Sequence, residues 1–229
     1  MNVDLTILIP AYNEEENLRV HLPVVCQAAE SCTKRYEVLV VDDGSTDSSV
    51  EVVLNAARKN RRIRLVRHPK NLGPGAGIAT GIFWGRGEWV MFLPADLACE
   101  PEELSGFYRA RRGADLVVGL RSDRRDSPLW RRVLSVAYIR ALRALSGSRV
   151  RQFNYLQLWR RSIFDRLLVS SRGVFITAEI ILRAERAGLV VAQHPLTYRP
   201  RSSGRASGAS PRAMARALLE MSAYFSRAW

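Results

Sequence analysis

The sequence has few cysteines, few histidines and no long hydrophobic run. Its 229 residues include three cysteines, without a Cys-x-x-Cys pair, and three scattered histidines. This pattern fits reduced thiols in a core better than a disulfide framework or a zinc site. The apolar run 89–93 is far shorter than the ~18 residues that cross a bilayer, so no membrane span is predicted. Acidic residues flank the short first apolar stretch and argue against a signal peptide, so we expect a cytoplasmic protein.

Acidic residues are also scarce in the second half of the chain. Residues 1–110 contain 12 Lys and Arg against 15 Asp and Glu, a net charge of −3, whereas residues 111–229 contain 23 against 7, a net charge of +16. This asymmetry favours a polyanionic partner, either nucleic acid, anionic lipid or a phosphorylated substrate, and the alternative is a solvated arginine-rich surface. The chain has no zinc spacing, helix-turn-helix or aromatic–basic RNA-binding signature, so we predict no nucleic-acid partner.

What the chain does have is enough apolar sequence, 47% of its residues, to bury the core of a domain. Its first 120 residues alternate short β-rich runs with helical patterns. Five nearly continuous apolar runs are typical of buried parallel strands: residues 5–9, 37–41, 63–66, 89–93 and 115–118. Helical patterns at 13–31, where Pro23 should kink or divide the helix, and at 45–60 separate the first three. This order predicts an α/β fold with a doubly wound, mostly parallel sheet.

The second half predicts a basic, largely helical part. Helical patterns cover 127–145, 174–187 and 211–227, and two stretches, 189–192 and 196–198, look extended. In the last helix one apolar stripe is expected, formed by Met214, Leu218, Met221 and Phe225. That helix could lie on a membrane, with Arg212 and Arg216 toward anionic lipid, complete the core or contact a partner. We therefore expect a domain over 1–210, with halves 1–120 and 121–210, followed by an amphipathic helix over 211–229.

Ligands of such sheets bind at the carboxyl ends of the strands. Asp42 and Asp43, after the second strand, can accept hydrogen bonds from ribose hydroxyls or a base N–H, and the alternative role is a turn and helix cap. Tyr12, after the first strand, can pack against a nucleobase or ribose. Asp96, directly after the fourth strand, is a candidate ligand for a divalent cation that carries phosphates.

Glycines crowd the loop after the third strand, Asn71-Leu72-Gly73-Pro74-Gly75-Ala76-Gly77. Their spacing differs from Gly-x-Gly-x-x-Gly, and the loop does not open the first βαβ unit, which excludes the dinucleotide-binding fingerprint of dehydrogenases. Small residues here are expected to let a helix approach the sheet closely beneath a bulky ligand.

Taken in order, these motifs resemble those of a known family. They are PAYNE (10–14), VVDDGSTD (40–47), NLGPGAG (71–77), PADL (94–97), VVGLR (117–121), Arg131 to Ser135 and RSSGRAS (201–207). The set resembles the family-two glycosyltransferases of the GT-A fold, and within them the branch of dolichyl-phosphate mannosyltransferase and bacterial polyprenyl-phosphate glycosyltransferases. The resemblance implies inverting transfer of one sugar from a nucleotide-diphosphate donor, a GDP- or UDP-sugar, to a lipid phosphate, with Mg or Mn as cofactor.

The resemblance also implies roles for individual residues. Five positions match nucleoside-contacting residues of the family: Pro10, Tyr12, Glu14, Val41 and Asp43. Asp96 matches the last carboxylate of the metal-binding Asp-x-Asp motif, and Ala95 beside it is expected at the donor. Four further positions match residues that contact the donor, Arg121 and Arg201, or the acceptor phosphate, Arg131 and Ser135.

Two positions depart from the family pattern. Pro94 occupies the place of the first acid of Asp-x-Asp, and Ser207 stands where a lysine is expected, with Arg205 as a candidate replacement. Mg²⁺ is commonly bound through one or two carboxylates plus substrate phosphates, so Asp96 alone could complete a site with the donor.

The acceptor determines whether a general base is needed. A phosphate monoester is already anionic near neutral pH, whereas a sugar hydroxyl needs a base, for which Glu179 is the candidate. A structural salt bridge is the other role open to Glu179. We predict a peripheral enzyme at the cytoplasmic face of an anionic membrane, acting on polyprenyl phosphate. The alternatives are a transferase to a hydroxyl acceptor and a catalytically decayed nucleotide-sugar-binding protein, and a second copy or a membrane protein stays open as a partner.

Overall fold

The computed structural model describes residues 3–122, 129–199 and 211–227, with the side chains of 129–132, 211, 212 and 227 outside that description. The elements in chain order are β1 (Val3–Ala11), α1 (Glu15–Cys32), β2 (Tyr36–Asp42), α2 (Ser49–Lys59), β3 (Ile63–Arg67), α3 (Pro74–Trp84), β4 (Gly87–Phe92), α4 (Leu104–Arg109), β5 (Leu116–Arg121), α5 (Leu129–Ser146), β6 (Gln157–Arg160), α6 (Ile176–Arg186), β7 (Val191–Leu196) and α7 (Pro211–Arg227). Short 3-10 helices precede α4 and follow β6, at Pro101–Glu103 and Arg161–Asp165.

The seven strands form one sheet in the order β3-β2-β1-β4-β6-β5-β7. Strand β6 is antiparallel to both of its neighbours, and the other pairs are parallel. The predicted doubly wound, mostly parallel sheet is therefore confirmed, and each of the five predicted strands is present. Strand β6 was not predicted from the sequence, and β7 is one strand where two extended stretches were expected.

Helices cover both faces of the sheet, which explains why its strands are apolar at nearly every position. Ile7 and Ile9 of β1 join a core cluster under α1, α2 and α4. Leu8, between them, points to the other face and joins a second cluster under α3, α5, α6 and α7. Successive strand residues face opposite sides, so a strand covered on both faces has no solvent-facing position.

Helix α3 lies unusually close to β1 because it presents glycines to it. A Cβ added to Gly77 would lie 3.1 Å from Cβ of Pro10, and one added to Gly81 would overlap the side chain of Leu8. The prediction that small residues here bring a helix close to the sheet is confirmed. The close approach places the start of α3 directly beside the carboxyl end of β1.

Of the two effects predicted for Pro23, a kink or a division of the first helix, the division is wrong, because α1 runs without a break from Glu15 to Cys32. Proline removes one backbone hydrogen bond from the carbonyl four residues earlier, here Arg19. Both residues are exposed, so water can satisfy that carbonyl.

Helix α7 packs against the second core cluster, so the prediction that it completes the core is confirmed. The ring of its buried Tyr224 lies 5.8 Å from that of Phe175, and Ala217 is also buried. Of the predicted apolar stripe, Met221 and Phe225 pack against this cluster and Met214 is half-buried, whereas Leu218 is 53% exposed, so the predicted face is confirmed except at Leu218. None of the helices in the described ranges combines the length and apolar character needed to cross a membrane.

Candidate functional site

The loops after β1 and β2 hold each other in place. Ser45 accepts a hydrogen bond from the backbone N–H of Asn13 at 2.9 Å, and Oδ1 of Asn13 accepts one from the N–H of Thr46 at 2.8 Å. Oγ of Ser49 accepts from the N–H of Glu14 at 2.9 Å. Asn13 has a φ of 53°, in the left-handed region that asparagine tolerates better than most residues. These contacts fix the carboxyl ends of two neighbouring strands as one rigid edge.

The two adjacent carboxylates after β2 have different surroundings. Asp42 is buried, and its Oδ2 accepts the N–H of Ser45 at 3.2 Å and pairs with Nε of Arg67 at 3.3 Å. It therefore has the turn-forming role that the sequence left open for this pair.

Asp43 instead organises the loop after β3. Its Oδ1 accepts the N–H of Leu72 at 2.9 Å and lies 2.7 Å from Nδ1 of His68, and its Oδ2 accepts the N–H of Gly73 at 2.8 Å. The other ring nitrogen of His68 lies 2.9 Å from the hydroxyl of Thr80. A carboxylate oxygen can accept about two hydrogen bonds, so Oδ2 has room for one from a ligand.

A cleft of about 390 Å³ opens above these loops. The described residues that line it are Pro10, Ala11, Tyr12, Glu14, Asp43, Asn71, Gly73, Pro74, Gly77, Gly173, Val174, Ala213 and Arg216. The structure thus brings together four of the five residues predicted at a nucleoside, and Tyr12 is 37% exposed. The fifth, Val41, does not line the cleft, because its side chain is fully buried in the second core cluster.

Four of the lining residues were missed by the sequence analysis: Gly173, Val174, Ala213 and Arg216. They come from the loop before α6 and from α7, and only tertiary packing brings them to the edge of β1. A more open depression of about 600 Å³, where α5, α6 and β7 meet, receives no residue from the strand-end loops among those described.

Asp96 lies on a tight turn after β4. The N–H of Leu97 donates to the carbonyl of Pro94 at 3.0 Å, and Leu97 has a φ of 45°. Nδ1 of His21 lies 2.9 Å from the carbonyl oxygen of Ala95. A left-handed conformation costs a leucine on the order of 1–2 kcal/mol, and such strain is concentrated at functional sites.

A metal ion at this turn would take most of its coordinating atoms from a bound phosphate compound and not from the protein. Within the described ranges, no cluster of three or more His, Cys, Asp or Glu side chains is close enough to hold an ion. Asp96 is half-buried on the turn, and the proline at 94 supplies no second carboxylate. This donor set fits a hard cation that arrives with phosphate oxygens, since Mg²⁺ accepts one or two protein carboxylates in such sites.

Arg121, at the end of β5, packs beside the segment that follows Asp96. Its guanidinium carbon lies 3.2 Å from the ring centroid of Tyr198, which pairs with Cys99 in an isolated bridge. Oε1 of Gln152 accepts the N–H of Arg121 at 2.9 Å. Arg121 is therefore held against Tyr198, which lies beside Cys99, three residues after Asp96.

The three cysteines are unpaired thiols, as predicted. Burial raises the pKa of Cys99 to about 12 and that of Cys32 to about 11. Thiols with such pKa values stay protonated near neutral pH and are poor nucleophiles. The cysteines are therefore part of the packing and not of the chemistry.

The acceptor residues are only partly described. Ser135 is half-buried on α5. Arg131 belongs to the same helix, but its side chain lies outside the described residues, as do Arg201, Arg205 and Ser207.

Glu179, the candidate base, is buried in a structural network. Its carboxylate accepts hydrogen bonds from the N–H of Ser170, from the N–H of Ser171 at 2.8 Å and from Nε of Arg183 at 2.7 Å. Burial alone would raise its pKa, but the hydrogen bonds from Ser171, Arg183 and Ser170 outweigh it and the pKa lies below its usual range. Of the two roles left open, the structure favours the ionised structural carboxylate.

Replacing Glu179 with glutamine should lower the free energy of unfolding by about 2 kcal/mol at pH 7, since a buried carboxylate with several donors is lost. The lowered folded-state pKa means that this contribution is complete above the unfolded pKa of about 4.3. It is lost as the pH falls through the folded pKa. Urea unfolding of both proteins between pH 7 and pH 3 should show the difference narrowing below about pH 4. A difference that stays constant over that range would contradict the assignment.

The sequence and structure were compared with those of known proteins. The chain is 31% identical over 194 residues to undecaprenyl-phosphate 4-deoxy-4-formamido-L-arabinose transferase of Salmonella choleraesuis (strain SC-B67), a match that covers 83% of this chain and 59% of that protein. The chain thus spans about three fifths of the length of this relative.

Solved structures of glucosyl-3-phosphoglycerate synthase from Mycobacterium tuberculosis share the fold. The complex with Mn²⁺ and UDP-glucose superposes with a TM-score of 0.73 at 19% identity, over 98% of this chain and 79% of that one. The complex with Mn²⁺, UDP and phosphoglyceric acid gives 0.71 at 20% identity, over 98% and 78%. The predicted GT-A fold is confirmed. Residues 6–168 match the family described as glycosyl transferase family 2, and the chain, with its cleft at the carboxyl ends of the strands, belongs to that family.

Proposed function

We propose that the protein transfers a sugar, with inversion, from a nucleotide-diphosphate donor to a polyprenyl phosphate at a membrane surface. The observation that carries this proposal is the cleft at the strand ends, which Tyr12, Glu14 and Asp43 line in a member of glycosyl transferase family 2. The relative whose name specifies undecaprenyl phosphate supports the acceptor. The neighbours crystallised with UDP or UDP-glucose support a nucleotide donor.

In this proposal the nucleoside lies in the cleft. The exposed ring of Tyr12 packs against the base or ribose, and Oδ2 of Asp43 accepts a hydrogen bond from an N–H or O–H of the nucleoside. Glu14 accepts from a ribose hydroxyl. The hydrogen bonds from the backbone hold Asp43 in place before the donor arrives, so little conformational entropy is lost on binding.

Asp96 is the carboxylate that we propose for Mg²⁺ or Mn²⁺, together with the donor diphosphate. A cation bound there would neutralise negative charge on the leaving nucleoside diphosphate. Ala95 precedes Asp96 on the strained turn, and in this proposal Arg121 adds a positive charge near that turn. Fold neighbours crystallised with Mn²⁺ or Mg²⁺ support a divalent cation.

A phosphate acceptor agrees with the surroundings of Glu179 better than a hydroxyl acceptor does. The buried, ionised Glu179 is already occupied by donors from three residues, and a phosphate monoester needs no base to deprotonate it near neutral pH. An anionic phosphate oxygen attacks the anomeric carbon, and the bond to the nucleoside diphosphate breaks with its electron pair on the leaving phosphate oxygen. Arg131, Ser135 and Arg201 have the residue types to hold these phosphates.

Exposed apolar residues on helix α5 support the proposal that the reaction takes place at a membrane surface. Val133, Leu134 and Val136 are 59%, 44% and 41% exposed on the helix that carries Ser135. Residues 111–229 carry a net charge of +16, and each Lys or Arg near an anionic leaflet contributes about 1 kcal/mol. We propose peripheral association with the cytoplasmic face.

Incubation with GDP- and UDP-sugars, Mn²⁺ and a short polyprenyl phosphate tests the function. We expect glycolipid and free nucleoside diphosphate in equal amounts, and no product with the matched unphosphorylated polyprenol. Transfer to the free alcohol would support the hydroxyl-acceptor alternative. Tight binding of a nucleotide sugar without turnover would support the decayed, nucleotide-sugar-binding protein.

Arg131→Ala should raise the KM for polyprenyl phosphate by roughly tenfold or more, because charge-assisted hydrogen bonds to a phosphate are lost. Arg131→Lys should recover only part of this, since an ammonium cannot form the two-pronged contact. Steady-state kinetics with the donor and the acceptor varied in turn will measure both effects. An unchanged KM for the acceptor, or an equal rise for the donor, would remove Arg131 from the acceptor site.

A further inference from the structure

The C-terminal helix α7 forms one wall of the proposed donor cleft. Ala213 and Arg216 line the cleft together with Asp43. A Cβ added to Gly73 would lie 3.5 Å from Nη1 of Arg216. The N–H of the same glycine donates to Oδ2 of Asp43 at 2.8 Å. A guanidinium from α7 and a carboxylate from the end of β2 therefore flank a single residue of the donor loop.

Glu220 fixes the direction of this guanidinium. Its Oε1 lies 3.2 Å from Nε of Arg216 and accepts the N–H groups of Arg172 at 3.2 Å and Gly173 at 2.9 Å. Glu220 is mostly buried, whereas the side chain of Arg216 is 48% exposed. The contact through Nε ties one edge of the guanidinium to the protein, while Nη1 reaches the space over Gly73.

The loop that Glu220 holds also supports the glycine turn. The N–H of Gly75 donates to the carbonyl of Arg172 at 3.0 Å, and a Cβ added to Gly75 would overlap the backbone of Arg172. Arg216, Glu220 and the donor loop are thus parts of one contiguous set of contacts.

The described side chains that line the cleft carry charges of both signs. Two carboxylates, Glu14 and Asp43, line the cleft, and Arg216 is the one basic side chain among the described residues that do so. A nucleoside diphosphate brings several negative charges, and a guanidinium can only donate hydrogen bonds. Phosphate oxygens and base carbonyls are the acceptors that a donor nucleotide offers.

We propose that Arg216 is a donor-binding residue that donates hydrogen bonds to the nucleoside diphosphate, and that Glu220 is its positioning residue. This inference rests on the proposed function and deepens it by adding α7 to the donor site. It replaces the membrane-facing role that the sequence suggested for Arg216.

Calorimetric titration with UDP and GDP tests the inference on the full chain. Arg216→Ala should weaken binding of the preferred nucleotide roughly 10- to 100-fold, the range expected for hydrogen bonds to a charged group. Arg216→Lys should recover part of the loss. Arg112→Ala is the matched control, because Arg112 is exposed on the turn before β5, at the amino end of that strand, whereas the cleft lies at the carboxyl ends of the parallel strands. It removes the same charge and should leave binding unchanged.

Three further measurements separate binding from folding and locate the contact. Arg216→Gln keeps most of the side-chain volume, so a loss of binding at an unchanged melting temperature cannot come from unfolding. The affinity of wild type for the diphosphate should fall more steeply with salt than that of Arg216→Gln. A loss shared by uridine and UDP places Arg216 at the base, whereas a loss confined to UDP places it at the diphosphate, and both results support the inference.

Two results would overturn the inference. If wild type binds UDP or GDP and the Arg216 variants bind equally well, Arg216 is not a donor residue, and the proposed function is unaffected. If wild type binds neither nucleotide, the proposed function fails and the inference fails with it.

Discussion

Replacing Asp43 with alanine is expected to weaken nucleoside diphosphate binding more than 100-fold and to lower the free energy of unfolding by about 3 kcal/mol. The substitution leaves the N–H groups of Leu72 and Gly73 and the ring of His68 without their acceptor. It also removes the carboxylate that we place against the nucleoside. Titration calorimetry and urea unfolding will measure the two effects separately.

Asp42→Ala provides a matched control for this experiment. Asp42 is equally buried and also accepts hydrogen bonds, but it does not line the cleft. We expect its loss to destabilise the protein while most of the nucleotide affinity remains. If Asp43→Ala unfolds more easily but binds nucleotide like wild type, Asp43 is a structural residue alone.

Asp96→Asn should reduce turnover on the order of 100-fold or more and abolish the dependence of donor binding on Mn²⁺. Asparagine has nearly the same shape, so the turn at Pro94–Leu97 should persist and the melting temperature should change little. Turnover assays, and titrations of UDP with and without Mn²⁺, will measure the effect. Equal metal-dependent binding by wild type and variant would mean that the cation is held elsewhere.

Pro94→Asp is the companion to this experiment, because it restores the acid that the family pattern has at this position. A second carboxylate should tighten Mn²⁺ binding in the presence of UDP. If the fixed φ of Pro94 shapes the turn, the same variant will instead lower the melting temperature.

The sheet was largely predictable because its strands are apolar on both faces. Five of seven strands follow from that pattern, and motifs at their ends led to Asp43 and Tyr12. Strand β6 is four residues long and includes Gln157, a buried polar residue whose amide bonds to the carbonyls of Phe153 and Thr177. Such a strand is specified by its neighbours in the sheet, and these cannot be read from a local pattern.

The part of the site contributed by α7 could not be predicted, for a related reason. An amphipathic pattern shows that a helix has an apolar face, but the rotation at which that face packs against the fold is set by tertiary contacts. Contacts of Tyr224 with Phe175 and of Glu220 with Gly173 select the observed one. With α7 packed in this way, the side chain of Arg216 lines the cleft. The role of Glu179 likewise could not be predicted, because backbone donors decide whether it acts as a base or as a structural carboxylate.

Residues from distant parts of the sequence line the cleft, and this determines the order in which its parts appear during protein synthesis. On the ribosome the chain emerges amino end first, at about 5–20 residues per second, so Tyr12 and Asp43 leave the exit tunnel roughly 10–40 s before Arg216. Glu220 accepts a hydrogen bond from Gly173, which lies 47 residues earlier in the chain. The hydrogen bond from Gly75 to the carbonyl of Arg172 cannot form until Arg172 has been synthesised. In a nascent chain the carboxylates of the cleft, Glu14 and Asp43, therefore appear first, and the guanidinium of Arg216 appears last. The cleft is therefore complete only after α7 has been synthesised and has packed against the loop before α6.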